Sequence, residues 1–242
     1  MWPFKKRVDS LRQGGIMQGF TDWHSHILPG VDDGVPDMET SLATLEAYDK
    51  LGVKRVWLTP HIMEDYPNTP DDLRKRFAEL KAAWTGNVEL HLAAENMLDS
   101  LFMERLEARD LLPIGSEGNH LLVETSYYNP PMDFDDMIDA VQSAGYHVVL
   151  AHPERYRYMN EADYKDLRRR GVLFQVNMMS TLGMYGETAR GKAEWMLREG
   201  MVELTGTDLH RLEATARRLD ESPKHRETLE QLLKVAASPG VE

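Results

Sequence analysis

His24-Ser25-His26 sets two imidazoles two positions apart. On an extended chain such residues point to the same side, so both rings can reach one ion. Asp208-Leu209-His210 repeats the spacing near the other end of the chain. His61, His152, Glu95 and Glu124 each follow a short apolar run as well. A donor set of nitrogen and carboxylate oxygen without sulfur suits manganese, iron or zinc better than calcium. These five histidines and three or four carboxylates exceed the needs of one ion, so two or three are expected. Each residue also has a plainer use. Histidines at strand ends hydrogen-bond loops, an acid closes an ion pair, and His61 and His152, each beside a proline, shape turns. Their common placement favours the metal reading. His91, His120, His147 and His225 fall within strands or on a late helix and read as structural.

Those donors need a scaffold, and the glycines mark it. Gly52, Gly145, Gly171 and Gly200 each separate an amphipathic stretch from an apolar run. A glycine just past a helix takes the left-handed conformation that closes it, and the β-branched run that follows reads as a buried strand. The runs are Val53 to Leu58, Tyr146 to Leu150, Val172 to Val176 and Met201 to Leu204. With Phe20 to Trp23, Val88 to Leu92 and His120 to Val123 they make about seven strands alternating with helices, the pattern of a parallel α/β fold. A closed barrel is preferred to an open sheet. In either, the carboxyl ends of the strands form the edge where ligands gather.

The chain has 242 residues, of which 42% are hydrophobic and 28% charged, enough for one sizeable core. A tail over residues 1–18 and a single domain over 19–242 are expected. The 40 acidic and 28 basic side chains leave a formal charge of -12, which argues against nucleic acid as the main partner. Bound cations would soften that balance. There is no cysteine, hence no disulfide, thiolate metal site or cysteine nucleophile. No run approaches the roughly 18 to 20 apolar residues of a membrane span. Trp2 and Phe4 beside Lys5, Lys6 and Arg7 could touch a membrane surface, but a frayed terminus without a signal-peptide core is the plainer reading. Arg168-Arg169-Arg170, just before Gly171, reads as a solvated helix end.

Several longer strings carry a resemblance. Asp22-Trp23-His24-Ser25-His26-Ile27-Leu28-Pro29-Gly30-Val31-Asp32-Asp33-Gly34, Thr59-Pro60-His61, Ala94-Glu95, Val123-Glu124, Ala151-His152-Pro153-Glu154-Arg155-Tyr156, Gln175-Val176-Asn177 and Thr207-Asp208-Leu209-His210 occur in that order. Together they resemble the polymerase-and-histidinol-phosphatase (PHP) superfamily, and within it the CpsB/YwqE-type bacterial protein-tyrosine phosphatases. The resemblance implies a distorted seven-stranded (β/α)7 TIM-like barrel with a three-metal centre, manganese being the usual ion and iron, zinc or magnesium alternatives. It implies His24, His26, Asp33, His61, Glu95, Glu124, His152, Asp208 and His210 as ligands. Arg155 matches the phosphate-binding, catalytic arginine. A second arginine is expected after the last histidine, where Arg211, Arg217 and Arg218 stand, Arg211 being taken first. Asp32 has no ligand role in the resemblance and reads as a turn residue. Asn96 stands where relatives commonly have tyrosine.

The chemistry that fits is attack of an ion-activated hydroxide on a phosphate monoester, without a covalent phosphoenzyme. The resemblance further implies a cytoplasmic enzyme that acts on a tyrosine-phosphorylated protein, a membrane-bound bacterial autokinase, and so regulates exopolysaccharide or capsule synthesis. The alternatives are a small-molecule phosphatase such as histidinol phosphatase, another phosphoesterase, or an idle metal-binding scaffold.

Overall fold

A computed structural model describes residues 8–241. The expectations for Trp2, Phe4 and the cations beside them lie outside the described residues. From Val8 onward the N-terminal segment lies against the barrel as a run of turns, with Leu11, Ile16 and Met17 buried in the core.

Among the described residues nine short strands make up seven strand positions. They are β1 (Thr21–Ser25), β2 (Arg55–Leu58), β3 (His61–Ile62), β4 (Glu89–Leu92), β5 (Glu95–Met97), β6 (His120–Glu124), β7 (His147–Ala151), β8 (Leu173–Asn177) and β9 (Leu204–Gly206). Every pairing between them is parallel, in the orders β1-β2-β4 and β3-β5-β6-β7-β8-β9. β3 continues β2 after Thr59-Pro60, and β5 continues β4 after Ala93-Ala94. The backbone bonds Ala93 N to Leu58 O at 2.9 Å and Glu95 N to Pro60 O at 3.1 Å carry the ladder across both breaks. Closure comes at the seam, where Asp208 N donates to His24 O at 2.8 Å and His26 N to Leu209 O at 3.0 Å. The sheet is thus curled into the distorted seven-stranded barrel expected.

The helices form where the punctuation placed them. α1 (Met38–Leu51) begins at Asp37, whose carboxylate accepts from Thr40 N, and ends at Gly52, whose φ of 83° a side chain would resist. Gly145 and Gly171 play the same part before β7 and β8. α2 (Pro70–Ala83), α3 (Phe102–Ala108), α4 (Phe134–Ser143), α5 (Glu161–Arg169), α6 (Glu187–Arg198), α7 (Leu212–Arg218) and α8 (Arg226–Ala236) complete the set. The arginines at the end of α5 pair outward, Arg168 with Glu203, Arg169 with Asp166 and Arg170 with Asp135 and Asp139.

Two apolar clusters lie between strands and helices, and a third fills the barrel itself. That inner plug contains Trp23, Trp57, Leu122, Val149, Leu204 and Val241, with the two indoles stacked at 5.9 Å. Burying side chains of this size contributes roughly 1.5–3 kcal/mol each. The register of β1 against β2 shifts between Asp22 and Ser25. Such a bulge changes which face successive residues present. Here Trp23 joins the plug, while the next residue, His24, joins the polar layer above it.

Candidate metal centre

Above the plug, all nine metal-ligand candidates converge. One donor atom each from His26, Asp33, His61 and His210 lies within 4.8 Å of the others, and the same holds for His24, Glu95 and His152, for His24, His26 and Asp208, and for His61, Glu95 and Glu124. Glu95 is the hub. Its Oε2 lies 3.1 Å from His24 Nε2, 3.3 Å from His26 Nε2 and 3.1 Å from His61 Nδ1, and its Oε1 lies 2.9 Å from His152 Nε2. The side chain is fully buried, yet neither oxygen accepts a hydrogen bond of good geometry. Glu124 Oε1 and His61 Nδ1 are likewise buried and, though 3.0 Å apart, form no hydrogen bond of good geometry. Burying a carboxylate with so few donors is costly unless a cation meets it. The donor set therefore fits divalent ions.

The rings are turned by what holds their outer nitrogens. His24 Nδ1 lies 2.8 Å from Gln175 Oε1, His26 Nδ1 2.8 Å from Asp32 Oδ2, and His210 Nδ1 2.9 Å from the Asp208 carbonyl. Each partner is an acceptor, so Nδ1 carries the proton and Nε2 turns its lone pair to the centre. His24 Nε2 and His26 Nε2 consequently stand 3.1 Å apart, a separation that suits a shared cation better than two bare lone pairs.

Without ions, the cluster holds protons instead. Burial pushes the His24 imidazole down, but Glu95 and Asp208 outweigh it and hold its pKa at about 9. In this ion-free form a hydrogen bond from His210 Nε2, 3.3 Å away, holds Asp33 down at about 2. For Glu95, burial opposes ionisation, but His24 and His61 bring the carboxyl well below its usual range.

Two of the positions sit on unusual backbone. His152 has φ 32° and Asp208 φ 52°, the left-handed region that side chains with a Cβ seldom adopt. Asp208 and His210 thus meet through a left-handed turn, not along an extended strand as the spacing of His24 and His26 suggested. Gly206 is required nearby, since a Cβ there would lie 2.6 Å from that of His24.

Arg155, three residues after His152, lines the same cleft of about 370 Å³ together with Asp33, His61, Tyr127, Tyr185 and Arg211. Its Nη1 donates to Asp208 Oδ2 at 2.8 Å. Glu154, the neighbour of Arg155 in sequence, is buried and bonded elsewhere, accepting from Asn177 N and Ser180 Oγ. Asp208 Oδ2 also takes Asn177 Nδ2 at 2.7 Å, which leaves Oδ1 facing His24 and His26 at 3.6 and 3.4 Å. Arg211 is exposed at the rim, at the residue preceding α7. Asn96 is buried and bonded to the Ala94 and Leu122 carbonyls.

Further side chains support the site without having been candidates for that role. Asp32 does turn the chain, accepting from Gly34 N, but its other oxygen holds His26 and His61 N. Gln175 and Asn177 stand two apart on β8 and join through their side chains at 2.9 Å. Two amides on one face of an otherwise apolar strand were the available signal. Of the histidines read as structural, His91 packs at a tilt against Trp57 and His120 against His147, away from this cluster. His225 precedes α8 and lines a separate cavity.

Residues 20–234 match a protein family described as capsular polysaccharide synthesis, CpsB/CapC. The chain is 26% identical to the tyrosine-protein phosphatase YwqE of Bacillus subtilis (strain 168) over 195 residues, 78% of this chain and 76% of that one. To the tyrosine-protein phosphatase CpsB of Streptococcus agalactiae it is 27% identical over 222 residues, 84% and 88% of the two chains. Its fold matches a crystal structure described with YwqE from Bacillus subtilis and CpsB from Streptococcus pneumoniae as unique metal-dependent tyrosine phosphatases. That match has a TM-score of 0.67 at 22% identity and covers 90% of this chain and 96% of the other.

Proposed function

The chain belongs to the CpsB/CapC family of capsular polysaccharide synthesis, and on that premise we propose that it is a metal-dependent phosphatase of phosphotyrosine in proteins. The observation that carries this reading is the meeting of Arg155 with Asp208 at the edge of the donor cluster. An imidazole-carboxylate cluster alone suits many hydrolases. A guanidinium beside it supplies a two-pronged donor for phosphoryl oxygens.

His24, His26, Asp33, His61, Glu95, Glu124, His152, Asp208 and His210 would hold two or three divalent ions, manganese first. Bound there, the ions supply a water activated at neutral pH and offset phosphoryl charge. Arg155 grips the phosphoryl oxygens and stabilises the charge that builds on them. Asp208 divides its two oxygens between the ion side and Arg155, which fixes the guanidinium relative to the centre. Gln175 and Asp32 hold His24 and His26 in the tautomer that faces inward. Arg211, at the rim of the cleft, is the second arginine proposed to meet the phosphate. Tyrosinate, with a pKa of about 10, departs without a dedicated proton donor.

The cleft opens to solvent on the side of Asp33, whose side chain is 50% exposed, and of His210 at 28%. An open mouth admits a phosphotyrosine borne on a protein chain, and the tyrosine-phosphorylated tail of a membrane-bound autokinase is the substrate proposed. Among the described residues no helix is long and apolar enough to cross a membrane. The test is steady-state hydrolysis of phosphotyrosine peptides and of histidinol phosphate with manganese present. Preference for the peptides supports the reading. Preference for histidinol phosphate would replace it with a small-molecule phosphatase.

A further inference from the structure

Arg155 is held by more than Asp208. Its guanidinium carbon lies 4.2 Å from the ring centroid of Tyr127 and 4.2 Å from that of Tyr185. The three residues come from three loops, those after β6, β7 and β8, and all face the cleft. Tyr127 is backed by His152 and Tyr156, at 5.7 and 6.3 Å between centroids, and its carbonyl accepts from Arg157 N at 2.8 Å. That bond ties the loop after β6 to the one that carries Arg155. The Tyr185 hydroxyl lies 3.4 Å from Asp208 Oδ2. Among the described residues Asp208 is the one hydrogen-bond acceptor of the Arg155 guanidinium, which leaves its other N–H groups for a ligand.

We infer that Tyr127 and Tyr185 are positioning residues that clamp the Arg155 guanidinium, so that its unengaged N–H edge is ready for a phosphate. The inference rests on the phosphatase reading of the same cleft. The electron-rich face of a phenol attracts a guanidinium, and a ring against its plane leaves the in-plane donors open. An arginine otherwise free to change rotamer loses that freedom when it grips an anion. One fixed beforehand loses less, and its ligand binds more tightly. The simpler alternative is that both rings only fill space beside the site.

The two are separated by measuring binding of inorganic phosphate to the manganese-loaded protein in equilibrium dialysis, with bound manganese and thermal unfolding followed alongside. Tyr127→Leu and Tyr185→Leu are each expected to weaken phosphate about tenfold without loss of manganese. Tyr127→Phe, which keeps the ring, recovers most of what Tyr127→Leu loses. In an Arg155→Ala background the Tyr127→Leu change has little further effect, since there is no guanidinium left to hold. Equal losses with and without Arg155, or a phenylalanine variant as poor as leucine, overturn the clamp while leaving the phosphate site in place. Failure of the unaltered protein to bind phosphate overturns the phosphatase reading and the clamp with it.

Discussion

Asp22 grips Thr207 twice, its Oδ1 accepting from the Thr207 amide at 2.8 Å and its Oδ2 from the Thr207 hydroxyl at 2.6 Å. The Tyr48 hydroxyl of α1 donates to the same carboxylate at 2.8 Å. Asp22 stands two residues before His24, and Thr207 immediately before Asp208. The pair therefore locks together the two strand ends that bring four of the nine metal-ligand candidates. His24 N, at 3.3 Å, is a fourth donor to Asp22. Without that carboxylate the Tyr48 and Thr207 hydroxyls can still bond each other across 2.9 Å, while the two amides lose their acceptor, each loss costing about 1–3 kcal/mol. Asp22→Ala is expected to lower stability by roughly 2–4 kcal/mol and to weaken metal binding, while Asp22→Asn loses less. Urea titration and metal analysis of both variants provide the check, and an alanine variant as stable as the parent would dismiss this role.

Chelation should abolish phosphatase activity and added manganese restore it, because a water activated at neutral pH is available only through bound ions. Magnesium should restore less, since imidazole-rich sites favour later first-row metals. Thiol-alkylating reagents should have no effect on a chain without cysteine. The decisive sample is one shown by elemental analysis to be free of metal, in which full activity would end the mechanism.

Arg155→Ala is expected to cut activity on a phosphotyrosine peptide on the order of ten- to a thousandfold, the range for losing one transition-state donor. Arg155→Lys keeps the charge without the fork and should fall within the same range. Bound metal should stay unchanged in both, because Asp208 offers the ion side its other oxygen. Parent-like kinetics in the alanine variant would reduce Arg155 to a structural ion pair.

The protonation of His24 sets a pH dependence. In the metal-free fold its pKa is about 9, against roughly 6.5 for an unfolded histidine. A folded value above the unfolded one contributes stability that is fully present below about pH 6.5 and is lost as the pH rises through about 9. Ions need the neutral ring, so their binding strengthens over the same interval. The difference in melting temperature between manganese-loaded and chelated protein should therefore widen from pH 6.5 to 9. A difference that stayed constant, or narrowed, would contradict the assignment of His24.

The scaffold was legible because glycine and apolar runs carry local signals, and Gly52, Gly145 and Gly171 sit at the helix-to-strand junctions expected of them. The donor set was legible because five imidazoles fell at strand ends. Seam and support were not. The bulge at Asp22 to Ser25, which lets neighbouring residues Trp23 and His24 serve plug and site, depends on pairing with β2. The partnership of Arg155 with Asp208 spans 53 positions and depends on how the segments after β7 and β9 converge. Asp32 looked like a turn residue because it is one, and only the fold shows its second oxygen on His26.

The left-handed backbone at His152 and Asp208 opposes heat resistance to function. Holding a residue with a Cβ there costs roughly 1–2 kcal/mol, a strain that glycine would relieve. Selection for a sturdier bare barrel would accordingly favour glycine at both positions and discard one imidazole and one carboxylate donor in the process. Engineering for durability must therefore leave these two sites out of the library and look to exposed helix faces, where added stability leaves the metal centre intact.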